Sequence, residues 1–277
     1  MVRAFILYHD FLHGAILHGA RLGTAVMYGV GALLLTPPRS WRESHNYHHA
    51  NVGKIGAPGD ERAPVVVTDI GAFPLLSVDD WERATKRQRI RYRLARHPIT
   101  ILLAYFTVFM GALCLASFFR NPRKHWPSLL IFGVHVALIG CLWWVGGWSM
   151  AVFSYLLPRW VASATGALLF YMQHSAPGLR VYRPDEWNVF EAALRAATYL
   201  KLGKTMEWIT GCIGYHHVHH VNPKIPFYKL SSAMASIPEL QHPATVRLRF
   251  GDVAQCFRAN LWNSGEGRLV SYPGGGR

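Results

Sequence analysis

The chain has 277 residues, 51% of them hydrophobic and only 16% charged, against about 25% charged in ordinary globular chains. Its 29 Lys and Arg outweigh 15 Asp and Glu, for a formal charge of +14; such an excess suits nucleic acid or anionic lipid, and with no zinc-finger spacing and no basic helix carrying heptads, beside long apolar segments, it favours lipid. Four cysteines (Cys114, Cys141, Cys212, Cys256), none in a CxxC pair, exclude a disulfide framework.

In chain order, the start MVRAFILY is apolar but too short for a signal peptide. It runs into YHDFLHGA, where His9 and His13 stand four residues apart, a spacing that puts both imidazoles on one helix face. The apolar stretch 14–36 contains His18 and Arg21, so it reads as an interfacial helix rather than a full span. SHNYHHAN follows, with His45, His48 and His49 at i, i+3 and i+4 of a helix. Residues Arg39–Arg96 carry eleven Lys and Arg, which the positive-inside rule assigns to the cytoplasmic side. Within them WERATKRQRIRYRLARHP reads as one basic helix on the membrane surface.

Residues 99–118 form an uncharged apolar run of bilayer-crossing length, and 129–148 form a second that ends in a Trp-rich belt; the short basic loop RNPRKHWP joins them into a hairpin. The stretch 150–172 contains Pro158 and Arg159 and is expected to be interfacial or partly buried. Histidine clusters that share one site must lie on one side of the membrane, so the number of spans between His49 and His216 must be even. Further on, 184–201 reads as an amphipathic helix opened by Asp185 and Glu186. YHHVHHVNP then carries His216, His219 and His220, and SYPGGGR reads as disordered. The expected organisation is a domain over 1–235 and a polar tail over 236–277.

Eight histidines in three clusters with shared helical faces are too many and too ordered for core histidines. The isolated His97, His135 and His242 take that plain structural reading, and His18 and His125 take a surface one. Imidazole suits several transition metals. A zinc ion takes about four ligands, so eight imidazoles oversupply one ion and suit two.

HDFLHG, HNYHH and HHVHH, in this order, resemble the three histidine boxes of the membrane fatty acid desaturase/hydroxylase superfamily. HHVHHVNPKIPFYKL is especially similar to the third box of omega-6 (delta-12) and omega-3 acyl-lipid desaturases. The resemblance implies an all-α fold: an integral membrane helical domain with interfacial helices and a cytoplasmic, His-rich di-iron cap. It implies a non-haem centre of two iron ions, with O2 as co-substrate and desaturation of a fatty-acyl chain. Ferredoxin or a b-type cytochrome would donate the electrons, with no nucleic-acid partner. Box by box, the ligands would be His9, His13, His45, His48, His49, His216, His219 and His220, with a ninth in the string FYMQHSAPG, His174. His217 is expected to be a non-ligand or a supporting donor. Asp10, Asn51 and Asn222 could orient ligand imidazoles. Trp41, Trp208 and Phe227 could line an apolar tunnel from the bilayer or act as interfacial anchors.

Members of the superfamily have two spans before the first box. Eight residues precede His9 here, reaching about 12 Å as a helix, so an N-terminally truncated chain of poor stability is expected. Hydroxylation of an acyl, alkane or carotenoid substrate is the alternative reaction. A haem-binding bundle or an inactive metal-binding remnant is the alternative of another class.

Overall fold

The computed structural model describes residues 1–55 and 73–274. The architecture is mostly helical. Its chain order opens with α1 (Val2–Leu12), α2 (Arg21–Leu33) and α3 (Pro38–Asn51), then β1 (Leu76–Ser77), α4 (Val78–Arg83), α5 (Lys86–Ala95) and α6 (Pro98–Leu102). A π-helical segment, Tyr105–Ala116, leads into α7 (Ser117–Arg120) and the long α8 (Pro122–Met150). A second π-helical turn, Ala151–Leu156, leads into α9 (Leu157–His174). The last third holds α10 (Val189–Arg195), β2 (Tyr199–Lys201), α11 (Lys204–Ile209), α12 (His216–Val221), α13 (Leu230–Ser236), β3 (Thr245–Arg247), α14 (Phe250–Arg258), β4 (Leu261–Asn263) and β5 (Arg268–Val270).

By length and composition, one helical stretch among the described residues is able to cross a membrane, Pro122–His174, and Tyr105–Arg120 is a shorter apolar one. The long stretch is not straight. Gly147 has φ 71 and ψ −177, a conformation open essentially to glycine alone. The Tyr155 hydroxyl lies 2.5 Å from His135 Nδ1, although a straight helix would separate residues 20 apart by about 30 Å. Thus α8 and α9 are two arms folded back on each other about Gly147. The apolar runs expected as a hairpin are helical and are joined at Asn121, whose side chain caps α8. The third apolar arm, 151–174, packs along α8. Trp160 donates to the Leu102 carbonyl at 2.7 Å, and Ser40 of α3 meets Ser117 at 2.7 Å, so Tyr105–Arg120 runs from the middle of α9 back toward α3.

The polar parts depart from expectation at points of local chemistry. The basic segment is two helices, because Ser77 with Asp80 and Thr85 with Gln88 each form a capping box and start α4 and α5 separately. The expected helix over 184–201 shrinks to α10, since Asn188 rather than Asp185 or Glu186 caps it, and Tyr199–Lys201 leaves the helix to pair in parallel with Thr245–Arg247. The 236–277 segment carries folded elements. Leu261 and Trp262 of β4 pair with Leu76 and Ser77, and Tyr272 packs on Trp81 with ring centroids 4.8 Å apart. The end of the SYPGGGR string lies outside the described residues.

Arg96 ties these parts together. It is 2% exposed and donates to the Pro74 and Ala259 carbonyls, each at 3.0 Å, and to Ser175 Oγ at 2.9 Å. One guanidinium thereby fixes the end of α5, the residue after α9 and the C-terminal segment. The main core cluster spans the same elements, with Tyr171, Met172, Leu200, Val218, Leu230 and Leu240 at its centre.

Candidate metal centre

Three helices and one helix end converge. α1 brings His9, with His13 just past its last residue; α3 brings His45, His48 and His49; α9 ends on His174; α12 brings His216, His219 and His220. The nine imidazoles fall into two groups, His9, His13, His45, His49 and His219 in one and His48, His174, His216 and His220 in the other. Within each group the potential ligand atoms lie within 4.8 Å of one another.

The split follows helix geometry in a way that shared faces alone do not foresee. On α3 the i and i+4 residues, His45 and His49, join the first group, and the i+3 residue, His48, turns to the second. On α12 the i and i+4 residues, His216 and His220, join the second group, and His219 turns to the first. Each helix lies between the two groups and serves both. The groups adjoin, with the His49 and His220 rings stacked at 4.4 Å.

Nε2 is the converging atom. In the first group His9–His45, His45–His49 and His49–His219 stand 3.0, 3.1 and 3.1 Å apart. In the second, His48–His174, His48–His220 and His216–His220 are each 3.1 Å apart and His174–His216 is 2.8 Å. His13 Nε2 is buried with no hydrogen-bond partner. Lone pairs crowded in this way call for a cation. At a metal–imidazole distance of about 2.0–2.1 Å, tetrahedral neighbours would stand roughly 3.3–3.4 Å apart and right-angled ones roughly 2.9 Å. The donor set therefore fits right-angled coordination better than a tetrahedral zinc site.

Burial, then neighbouring imidazoles, holds seven of these rings neutral and able to bind a metal. The His13 pKa is pushed down to about 2 and that of His49 to about 3, and His45, His48, His216, His219 and His220 are held well below the usual histidine range. Two rings have their far nitrogen held. Asp10 Oδ1 sits 3.1 Å from His9 Nδ1 while its Oδ2 accepts the Phe227 N–H at 2.6 Å. The Ala196 carbonyl lies 3.3 Å from His174 Nδ1. Trp41 stacks on His45 at 4.2 Å, and Phe170 packs against His48, His174 and His216.

The other expected residues sit apart. His217 faces away and contacts the Leu240 carbonyl at 3.1 Å. Asn51 donates to the Tyr47 carbonyl, and Asn222 accepts from the Lys224 N–H. His97 caps α6, and His135 bridges the Ala32 carbonyl and Tyr155. His125 is buried, 3.6 Å from Glu43, rather than on the surface.

A cavity of about 290 Å³, walled mainly by apolar side chains, opens onto both groups through His9, His45 and His216. Trp41 lines it as expected; Trp208 and Phe227 do not. Trp208 is 66% exposed and stacks under Arg3. Phe170 and Leu113 line the cavity without having been singled out by the sequence, because wall residues need only be apolar and carry no spacing signal; Gln173 of the QH string lines it too and donates to the Ile213 carbonyl at 2.8 Å. Arg159 lines it too; an Arg inside an apolar helix is itself a signal of function.

These features define a helical protein with a double polyhistidine centre at the end of an apolar cavity. The fatty acid desaturase family model matches residues 1–250, and the chain belongs to that family. It is 29% identical to a fatty acid desaturase of Bacillus subtilis (strain 168), over 98% of this chain and 74% of the relative. It is 25% identical to an sn-1 acyl-lipid omega-3 desaturase (ferredoxin) of Synechocystis sp., over 98% and 75%. It is 26% identical to a chloroplastic omega-6 fatty acid desaturase of Brassica napus, over 85% and 51%.

Proposed function

We propose that the protein is an integral membrane acyl-lipid desaturase whose nine clustered histidines hold two iron ions. The observation that carries this reading is the pair of converging Nε2 groups at the end of an apolar cavity. His9, His13, His45, His49 and His219 would hold one ion, and His48, His174, His216 and His220 the other. When bound, the irons supply the O2-dependent oxidation of an unactivated C–H bond, for which acid–base side chains have no handle. The electrons would come from a separate carrier, with ferredoxin favoured because the Synechocystis relative is named for it.

The chain's own residues do the positioning. Trp41, Phe109, Leu113 and Phe170 form walls that take an alkyl chain and exclude water from the imidazoles. Asp10, as acceptor of the His9 Nδ1 proton, keeps that ring's Nε2 lone pair aimed inward. The arms of α8 and α9 around Gly147 are the proposed membrane hairpin, in place of the 99–118 and 129–148 pair expected from the sequence, and the shorter apolar Tyr105–Arg120 is not counted as a crossing. Two crossings there return the chain to the side it left, so His49 and His216 share one side, which the basic Arg39–Arg96 region marks as cytoplasmic. We assign the catalytic domain to 1–235, with the folded 236–277 segment packed against it.

Expression in a host of known lipid composition, followed by fatty-acid profiling, tests the reading. A new double bond is the expected result. A hydroxylated product would move the protein to the sister reaction, and a haem absorption band with no iron bound by the histidines would overturn the proposal.

A further inference from the structure

One face of α3 lies against a polar cavity that the histidine centre does not use. Ser40, Glu43, Ser44 and Tyr47, at i, i+3, i+4 and i+7, line it opposite Arg120 and His125, around a volume of about 190 Å³. Among the described residues, none lines both this cavity and the apolar one. Ser40 Oγ is engaged by the Leu113 carbonyl and by Ser117 Oγ. Glu43 meets Arg39 at 3.5 Å and Lys124 at 3.0 Å, and His125 turns Nε2 toward it at 3.6 Å. His125 is 6% exposed. Among the described residues, neither its Nδ1 nor the buried Ser44 Oγ has a hydrogen-bond partner. Two unmatched polar atoms in one cavity wall cost stability unless water or a ligand meets them. The cavity lies at the start of α8, where Phe119 is 73% and Trp126 59% exposed, beside Arg120, Arg123 and Lys124. Exposed aromatic and basic side chains at the end of an apolar helix mark the headgroup layer of a bilayer. Because α3 also carries His45, His48 and His49, this is the layer on the histidine side.

We propose that this cavity binds the vicinal-diol head of a glycerolipid, a glycerol or a sugar, at the membrane surface beside α3. The proposal rests on α8 and α9 being a membrane hairpin and not on the reaction at the histidines. The chemistry of the wall selects the ligand. It sets a carboxylate and an imidazole beside hydroxyls and a guanidinium, so it offers acceptors and donors together. A bare oxyanion would be repelled by the Glu43 carboxylate. A hydroxyl both donates and accepts. One hydroxyl of a diol can donate to Glu43 or meet His125 Nδ1 in either tautomer, while its neighbour accepts from Ser44 or Tyr47. The volume is far above the roughly 10–15 Å³ that a single water needs. Arg39, Arg123 and Lys124 stand outside the wall, where the phosphodiester of an anionic lipid would follow a glycerol head.

The test uses the full chain in detergent, with lipid binding followed by native mass spectrometry. Two pairs of dioleoyl lipids isolate the diol: phosphatidylglycerol against phosphatidic acid, and monogalactosyldiacylglycerol against diacylglycerol. A hydrogen bond to a charged group predicts that the diol-bearing member of at least one pair binds about tenfold tighter. Which pair shows the preference tells a glycerol head from a sugar head. His125→Leu should abolish the preference, and Ser44→Ala should reduce it by about threefold, as loss of one neutral hydrogen bond does. If His125→Leu fails to fold, Ser44→Ala decides. No preference in either pair, as when the cavity holds water only, would overturn the site. Tighter binding of phosphatidic acid than of phosphatidylglycerol with no preference in the second pair, or a preference unchanged in a variant that folds, would overturn it as well. Extraction of the protein from membranes by alkaline carbonate would remove the hairpin reading by itself, whatever the lipid pairs show.

Discussion

The two histidine groups draw on the same two helices yet are braced differently. The first gains His9 and His13 from the start of the chain, and its brace is a charge, Asp10, which also grips the backbone at Phe227. The second gains His174 from the end of the apolar arm α9, and its braces are a carbonyl, that of Ala196, and the wall residue Phe170. Behind it the buried Arg96 holds Ser175, the next residue along. Hydrogen bonds brace a ring in each group, and the second group depends besides on how the apolar hairpin docks on the polar part.

The largest expected effect comes from removing one ligand of each group. His45→Ala and His216→Ala should each lower product formation by more than about 100-fold, exceeding what loss of a supporting partner costs, and elemental analysis should find less iron per chain in both. Activity surviving in one variant would mean that the two groups are not partners in one reaction. Arg96→Leu removes three hydrogen bonds from a buried cation and should cost about 3 kcal/mol or more, read as a lower thermal midpoint with iron lost first from the second group. Asp10→Asn should weaken iron binding at the first group by about 10–100-fold and leave the second unchanged, and a metal titration showing equal loss at both would end the asymmetry.

The last effect is in pH and falls on the metal-free protein. His13 and His49 have folded pKa values of about 2 and about 3, below the unfolded value of about 6.5. Below 6.5 the unfolded chain therefore binds protons that the folded one refuses. The metal-free protein should lose stability steadily as pH falls from about 6.5 toward 3 and show little dependence above 7. Denaturant midpoints across that range would check this, and a flat profile would mean that the clustered rings are solvated.

Much of the site is legible in the residues because metal ligation needs rare side chains at helical spacing. Two HxxHH strings and one HxxxH give the proposed ligand set, and the QH string adds His174. Other parts are not legible for specific reasons. Asp185 and Glu186 resemble a helix start, but Asn188 offers the better cap. The basic 81–98 segment resembles one helix, but Thr85 with Gln88 starts a new one. His125 looks like a surface residue until α3 brings Glu43 to it.

The sequence alone therefore determined the histidine clusters, the apolar character of 99–172 and the family, all of which rest on residue type and local period. Only the tertiary structure decided that α3 and α12 each divide their histidines between two groups, that the long apolar helix turns back at Gly147, and that Arg159 shares a cavity with His9, His45 and His216. A helix repeats every 3.6 residues whatever surrounds it. Which neighbour each face meets depends on how the arms fold back, and that is set by packing between residues far apart in the chain.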